Sequence, residues 1–224
     1  MLKNNIAIII PSYNPTSQLL NIIDELIKNN YTNIIIINDG SSSQNIFKQI
    51  PTNVIVINHS SNLGKGSAIK SGFKYCLEHF PRICGAITVD DDNQHKINDI
   101  NKLYSNIDTT SLILGTRNFK EKNIPFKSKI GNWFTSHIIS FYANFYIQDT
   151  QTGLRFIPYK YFNAFLNING SRFEYESNML IYSINHKIPI KQINIETVYF
   201  KNNCNSRFKP FIDSFKILSN IFKK

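Results

Sequence analysis

Residues 34–41 read Ile-Ile-Ile-Ile-Asn-Asp-Gly-Ser, a short unbroken apolar run that ends in turn-forming polar residues. The same pattern occurs at 6–14, where Ile-Ala-Ile-Ile-Ile precedes Pro-Ser-Tyr-Asn. Short continuous runs rich in β-branched residues predict strands that are buried on both faces. Similar runs predict three further strands at 54–57, 85–89 and 111–114.

Helical patterns separate these runs. Apolar residues recur at helical spacing from Leu19 to Ile27, and Gly64-Lys65-Gly66 opens a helical segment that continues to about Glu78. This alternation predicts an α/β fold with a mostly parallel, Rossmann-like central sheet flanked by helices. In such a sheet the carboxyl ends of the strands meet at one edge, where ligands bind. Four polar clusters are therefore expected at that edge: Ser12-Tyr13-Asn14, Asn38-Asp39-Gly40-Ser41, Asp90-Asp91-Asp92 and Arg117.

The second half of the chain has a different pattern. An aromatic amphipathic segment at 127–147 is followed by a predicted loop at 149–155 that leads into a short strand, and then by a helix at 173–185 and a strand at 190–200. The last residues form a basic amphipathic helix by pattern, with an aromatic stripe flanked by lysines. We predict one domain over residues 1–200 and a C-terminal amphipathic appendage over 201–224 that lies in a membrane interface.

The composition limits the classes of partner. The 25 Lys and Arg residues exceed the 15 Asp and Glu residues, giving a net charge of +10. This excess predicts attraction to an anion: a nucleotide phosphate, a nucleic acid or an anionic membrane surface. The chain has three cysteines without CxxC spacing, so neither a disulfide framework nor a zinc site is expected, and a reducing compartment fits. A signal peptide and a spanning apolar segment are also not expected.

Three consecutive acids at the end of a predicted strand suggest a metal site. In extended backbone Asp90 and Asp92 would point to one side and Asp91 to the other. Two convergent carboxylates repel unless a cation neutralises them, and Mg²⁺ or Mn²⁺ bridging to a phosphate is a common solution. Gln94 and His95 are within reach as further ligands or supporting groups. A solvated acidic turn is the alternative interpretation.

Other candidates have two interpretations each. Asp39 could accept from a nucleobase or a ribose hydroxyl, or it could cap a helix. Lys65 and its flanking glycines could meet a phosphate, or they could simply begin a helix. Among the few arginines, Arg117 and Arg155 adjoin apparent motifs, and the guanidinium fork suits phosphate.

Taken together, these motifs resemble those of the family 2 glycosyltransferases with the GT-A fold. The second half is most similar to the dolichyl-phosphate mannose synthases and their bacterial polyprenyl-phosphate relatives. The resemblance rests on six segments in order: Ile8-Ile9-Ile10-Pro11-Ser12-Tyr13-Asn14, Ile36-Ile37-Asn38-Asp39-Gly40-Ser41, Asn62-Leu63-Gly64-Lys65-Gly66-Ser67-Ala68, Val89-Asp90-Asp91-Asp92-Asn93-Gln94-His95, Gly115-Thr116-Arg117 and Asp149-Thr150-Gln151-Thr152-Gly153-Leu154-Arg155. Ser206-Arg207-Phe208 adds to it.

The resemblance implies an inverting, metal-dependent transfer of a hexose from a nucleotide-diphosphate sugar, UDP or GDP, to a polyprenyl phosphate. The catalytic residues implied are Asp92, Arg117 and Asp149. The residues implied for the nucleotide-sugar are Pro11, Tyr13, Asp39, Lys65, Asp90, Asp91 and Arg155. Those implied for the Mg²⁺ or Mn²⁺ ion are Asp90, Asp92 and Gln94. Those implied for the acceptor phosphate are Arg117, Lys129 and Arg207.

The resemblance also implies a peripheral location on the cytoplasmic face of a membrane, with an integral membrane partner as one possibility. Two other functions stay open. A family 2 enzyme acting on a sugar hydroxyl would need a base, for which Asp149 is the candidate. A non-enzymatic binder of nucleic acid fits the charge, but the lysines are scattered and no recognition motif occurs, so we expect no nucleic-acid partner. A dinucleotide-dependent dehydrogenase lacks its GxGxxG motif here.

Overall fold

The computed structural model describes residues 2–118 and 126–196, apart from the side chains of 126–131 and 134. Its strands are β1 (Ile6–Ser12), β2 (Ile34–Asn38), β3 (Ile55–Asn58), β4 (Gly85–Thr88), β5 (Leu112–Arg117), β6 (Arg155–Pro158) and β7 (Ile190–Ile195). Its helices are α1 (Gln18–Lys28), α2 (Lys65–His79), α3 (Ile97–Ser105), α4 (Phe126–Ala143), α5 (Phe162–Leu166) and α6 (Glu174–Asn185). The C-terminal appendage predicted at 201–224 lies outside the described residues.

The strands form one seven-stranded sheet in the order β3-β2-β1-β4-β6-β5-β7. Every pairing within it is parallel except those of β6, which runs antiparallel to both β4 and β5. The predicted α/β fold with a mostly parallel sheet is therefore confirmed. Because β6 is reversed, it begins at the edge where the parallel strands end.

Both faces of the sheet are covered, as the apolar runs predict. On β1, Ala7 and Ile9 pack with apolar residues of α2, α5 and α6. Ile6, Ile8 and Ile10 pack on the opposite side with apolar residues of α1 and α3. The alternation of strand side chains thus divides each run between two cores.

The predicted strands all occur, with shifted ends. β1 continues through Pro11 to Ser12, two residues beyond the apolar run. Proline is tolerated there because β4 pairs with β1 only as far as Ile9, so no neighbouring strand on that side needs the missing N–H. Two further helices were not predicted: α5 is too short to show a helical pattern, whereas α3 is amphipathic, with Ile100 and Leu103 on its buried side.

Candidate functional site

The site lies at the carboxyl edge of the sheet. Ser12, Asn38 and Arg117 end strands β1, β2 and β5, and Asp90 follows the end of β4 by two residues. Arg155 begins β6 opposite Thr88, so the segment 149–154 lies over the same edge. The predicted clustering of these polar groups is therefore seen in the structure.

The three acids occupy a turn, not an extended strand, because β4 ends at Thr88. Asn93 closes this turn in the left-handed region at φ 58°. The backbone here is not extended as predicted, but Asp90 and Asp92 still lie close together: burial and then the charge of Asp90 raise the pKa of Asp92. Asp91 accepts a hydrogen bond from the Ser12 hydroxyl at 2.7 Å, while the amide N–H of Gln94 donates to Asp92 at 3.1 Å.

A largely buried lysine, Lys65, neutralises Asp90. The ammonium of Lys65 lies 2.7 Å from Asp90 Oδ1 and 3.0 Å from Glu176 Oε2. Burial by itself would lower the pKa of Lys65, but the two carboxylates outweigh it and hold that pKa above its ordinary value. Burial likewise acts to raise the pKa of Asp90, yet Lys65 and His95 bring it well below its usual range. Asp90 is therefore a carboxylate at neutral pH.

Two glycines fix the position of Lys65. A Cβ on Gly64 would lie 2.5 Å from the carbonyl oxygen of Ser171, and Gly64 has a φ of 102°. A Cβ on Gly66 would lie 2.5 Å from Cβ of Tyr175. The start of α2 can approach the start of α6 this closely only because both residues lack a side chain. The glycines therefore bring Lys65 to Glu176.

The buried Asp149 forms an ion pair with the partly exposed Arg117. Arg117 donates from Nε to Asp149 Oδ2 at 2.6 Å and from Nη2 to Oδ1 at 2.9 Å. Asp149 is fully buried, and the amide N–H of Gln151 also donates to it at 3.1 Å. This two-pronged contact fixes the guanidinium plane at the end of β5. Asp149 is not presented as a free base.

Arg155 is a bracing residue in this structure, which corrects its expected place over the sugar. It is fully buried, and its guanidinium donates to the backbone carbonyls of Thr150, Thr152 and Glu176. Burial lowers its pKa, against the opposing charges of Glu176 and Asp149. Arg155 thus ties the segment 149–154 to α6.

The Asp39 carboxylate is also buried and engaged. Its oxygens accept from the amide N–H groups of Leu63 at 2.9 Å and Gly64 at 2.8 Å. His59 Nδ1 lies 2.7 Å from Asp39 Oδ1, and His59 Nε2 lies 2.9 Å from the Ser71 hydroxyl. A carboxylate accepts about four hydrogen bonds, so roughly one acceptor position remains for a ligand.

Asn14 connects two loops at the edge of the sheet. Its amide N–H donates to the Ser41 hydroxyl at 2.8 Å, and its side-chain oxygen accepts from the Ser42 amide at 2.9 Å. The loops after β1 and β2 are thereby joined. Pro11 is buried and Tyr13 is half-buried beside this junction.

The donor set at Asp90, Asp92 and Gln94 fits a hard divalent cation. Among residues 2–118 and 126–196, no three His, Cys, Asp or Glu side chains form a metal cluster. Two carboxylates and an amide oxygen nevertheless suit a cation that completes its coordination with water and phosphate oxygens. Asp90 is 31% exposed, so it can face such a ligand. Gln94 is half-buried after the acidic turn.

Two predicted phosphate ligands cannot be placed. The side chain of Lys129 and all of Arg207 lie outside the part of the chain that the structure describes. Conversely, Glu176 and His59 were not among the residues predicted from the sequence. Glu176 carried one usable signal, an acid among the apolar residues of α6, whereas nothing adjacent in the sequence links His59 to Asp39.

Helix α4 joins the site to an exposed aromatic surface. Its buried Asn132 donates to the carbonyl of Gln148 at 2.8 Å and accepts from the Thr150 amide at 3.1 Å. On the other side, Trp133 is 61% exposed and Phe141 is 91% exposed. None of the described helices is long and apolar enough to cross a membrane.

The chain belongs to glycosyl transferase family 2: the model of that family matches residues 7–169. The chain is therefore a glycosyltransferase, as its motifs predicted, and its α/β sheet is that of the GT-A fold. This confirms the family expected from the six sequence segments.

The chain is similar to two dolichyl-phosphate sugar transferases, the branch that the sequence indicated. It is 33% identical over 217 residues to a UDP-N-acetylglucosamine–dolichyl-phosphate N-acetylglucosaminyltransferase of Methanococcus voltae, covering 87% of this chain and 86% of that protein. It is 25% identical to a dolichyl-phosphate β-glucosyltransferase of Trichomonas vaginalis, covering 85% of this chain and 65% of that protein.

A solved structure has the same fold. The glucosyl-3-phosphoglycerate synthase of Mycobacterium tuberculosis, in complex with Mn²⁺, UDP-glucose and phosphoglyceric acid, superposes with a TM-score of 0.73. The superposition covers 97% of this chain and 78% of that one at 12% identity, which establishes the shared fold alone.

Proposed function

We propose that this protein transfers a sugar, with inversion, from a UDP-sugar to a polyprenyl phosphate, assisted by a divalent cation. The observation that carries the proposal is the ion pair between Arg117 and the buried Asp149 beside helix α4. It offers a fixed cation for an anionic acceptor, and it leaves Asp149 engaged where a hydroxyl acceptor would need a base. The similarity to two dolichyl-phosphate transferases supports the same acceptor, and one of them supports UDP-N-acetylglucosamine as the first donor to test.

The chemistry is a single displacement. A phosphate oxygen of the polyprenyl phosphate attacks the anomeric carbon while the bond to the nucleotide diphosphate breaks, which inverts that carbon. The acceptor oxygen carries no proton that must be removed at neutral pH, so this step requires no general base. The protein has to hold two anions together and align them for attack.

Each group of the site has a part in this step. Arg117 would hold the acceptor phosphate, its plane set by Asp149. Lys65 would meet the donor diphosphate, and Pro11, Tyr13 and Asp39 would hold the nucleoside. Asp90, Asp92 and Gln94 would hold Mg²⁺ or Mn²⁺, which when bound stabilises the departing diphosphate. Arg155 and His59 would act indirectly, by fixing the loops on either side.

A polyprenyl phosphate acceptor would also account for the exposed aromatic side chains of α4 next to the site. Helix α4 contacts the Asp149 segment through Asn132 and Thr135, and it exposes Trp133 and Phe141 on another side. Aromatic side chains of this kind favour a membrane interface, and the excess of basic residues favours an anionic one. We place the protein at the cytoplasmic face of a membrane, where the phosphate of a polyprenol would meet Arg117.

The test is a transfer assay with the full chain, polyprenyl phosphate in detergent and Mn²⁺ or Mg²⁺. UDP-N-acetylglucosamine, UDP-glucose, UDP-galactose and GDP-mannose are supplied separately, and radiolabelled sugar is counted in the lipid phase. We expect glycolipid from a UDP-sugar, abolished by EDTA and by Asp92→Ala. Asp24→Asn, an exposed substitution on α1, is the matched control.

Three outcomes would overturn parts of the proposal. Glycolipid formation that is unchanged by EDTA would reject the proposed dependence on a divalent cation. Donor hydrolysis without glycolipid would reject the lipid acceptor, and sugar oligomers should then be tried as acceptors. Failure with every UDP-sugar but transfer from GDP-mannose would reject the UDP donor alone.

A further inference from the structure

The ammonium of Lys65 is paired with the carboxylate of Asp90, which the proposed metal site also requires. It lies 2.7 Å from Asp90 Oδ1, and its side chain is only 15% exposed. An ammonium and a divalent cation on the same carboxylate repel strongly at such separations, and poorly hydrated surroundings increase the repulsion. Metal and Lys65 therefore compete for Asp90.

Glu176 provides a second position for the ammonium. Its side chain is 6% exposed, and Oε2 already lies 3.0 Å from Lys65 Nζ. Its other oxygen, Oε1, is buried and has no hydrogen-bond partner among the residues that the structure describes. An unpartnered buried carboxylate oxygen is costly, so Glu176 has unused capacity to accept. Lys65 can therefore leave Asp90 by a side-chain rotation, with its backbone still fixed by Gly64 and Gly66.

We infer that Lys65 is an internal counter-ion of Asp90, held in reserve by Glu176, which a divalent cation must displace and which the donor diphosphate then receives. This inference rests on the proposed function, because it takes Asp90 as a metal ligand. Its consequence is that metal alone binds weakly, whereas metal together with nucleotide binds tightly. Glu176 is a positioning residue, since it acts through Lys65.

The test measures Mn²⁺ binding directly, by electron paramagnetic resonance of the free ion, on the full chain without nucleotide. We expect Lys65→Met to bind Mn²⁺ more tightly than the wild type, on the order of tenfold, because the competing charge is gone. We expect Glu176→Gln to bind it more weakly, because the ammonium then rests on Asp90 alone. Lys74→Met, an exposed lysine on the same helix, should leave Mn²⁺ affinity unchanged.

The inference predicts opposite changes in Mn²⁺ affinity for Lys65→Met and Glu176→Gln. General damage to the site would weaken Mn²⁺ binding in both variants. Adding UDP should tighten Mn²⁺ binding in the wild type and should do so much less in Lys65→Met. If Lys65→Met does not fold by circular dichroism, the charge-neutral Lys65→Met/Glu176→Gln protein takes its place, with the same expected gain. Unchanged or weaker Mn²⁺ binding without Lys65 would overturn the inference.

These results are independent of sugar and acceptor. A protein that makes no glycolipid can still show the gain in Lys65→Met, in which case the proposed transfer is wrong but the competition between metal and Lys65 for Asp90 holds. If the protein makes glycolipid but Lys65→Met shows no gain in Mn²⁺ affinity, the proposed function holds and the inference is wrong. Asp90→Asn should remove the gain, and its persistence there would place the competition at another carboxylate.

Discussion

The contacts that single residues make at the sheet edge help to distinguish the two acceptors considered, a polyprenyl phosphate and a sugar hydroxyl. Asp149 is the one candidate base for a hydroxyl acceptor, and it is buried in contact with both the Nε and the Nη2 of Arg117. Both of its oxygens are engaged by the guanidinium, so it could meet an acceptor hydroxyl only by giving up part of that contact. Substitution of Asp149 therefore tests which of the two acceptors the reaction uses.

Asp149→Asn should reduce transfer on the order of tenfold, because Arg117 loses its fixed partner and the acceptor is misplaced. The pH profile of the residual rate should run parallel to that of the wild type between about pH 6 and pH 9, since no general base is lost. The measurement is kcat/KM across this range, with Asp24→Asn as the matched control. A residual rate that climbs steeply with pH would instead favour a hydroxyl acceptor.

His59→Ala should raise the KM for the nucleotide-sugar roughly tenfold and change kcat less, because hydrogen bonds to a buried carboxylate are worth about 1.5–3 kcal/mol. The reason is that His59 orients Asp39, which we propose as a nucleoside ligand. Initial rates at varied donor concentration give both constants. His79→Ala, an exposed histidine of α2, is the control. An equal fall in kcat with no change in KM would contradict this assignment.

At the scale of elements, the carboxylate of Asp108 links the turn before β5 to strand β7. Asp108 accepts from the amide N–H groups of Thr110 at 2.8 Å and Ser111 at 2.7 Å, and it pairs with Lys191 of β7. The contacts with Lys191 and Thr110 hold the pKa of Asp108 well below its usual range. A carboxyl with a lowered native pKa stabilises the fold above its unfolded pKa and loses that contribution as pH falls.

Asp108→Asn should lower the free energy of unfolding at pH 7 by about 1 kcal/mol, a modest value because the pair is partly exposed. The difference from the wild type should shrink below about pH 4, where the unfolded chain takes up the proton. Urea unfolding at pH 7 and pH 3 measures both. An undiminished difference at pH 3 would show that the carboxylate charge is not the cause.

At the scale of the whole molecule, charge and exposed aromatics act together. A net charge of +10 favours attraction to an anionic surface, and α4 presents Trp133, His137 and Phe141 at helical spacing. Trp133 is the only tryptophan of the chain, so its fluorescence reports on this surface alone. Binding of the whole molecule can therefore be followed without a label.

Vesicles containing anionic lipid should shift the emission of Trp133 to shorter wavelength, and added salt should weaken the binding. Phe141→Asp should weaken it roughly tenfold or more, since burial of such a side chain contributes about 1.5–3 kcal/mol. Leu2→Asp, at an exposed apolar residue outside α4, should have little effect. Equal loss in both variants would mean that α4 has no special part in binding.

The sequence by itself determined the strand order along the chain, the parallel sheet and the polar edge. It could do so because short β-branched runs between helices leave few other packings, and parallel strands must end together. The six motifs likewise identified the family. These inferences depend on local pattern, which tertiary contacts did not override.

Only the tertiary structure decided how the edge residues pair. Glu176 meets Lys65, and His59 meets Asp39, through the packing of elements far apart in the sequence. The reversed strand β6 and the buried place of Arg155 are likewise invisible to local pattern. The physical reason is that a side chain's partner and exposure depend on what folds against it, and the identity of the residue does not specify that.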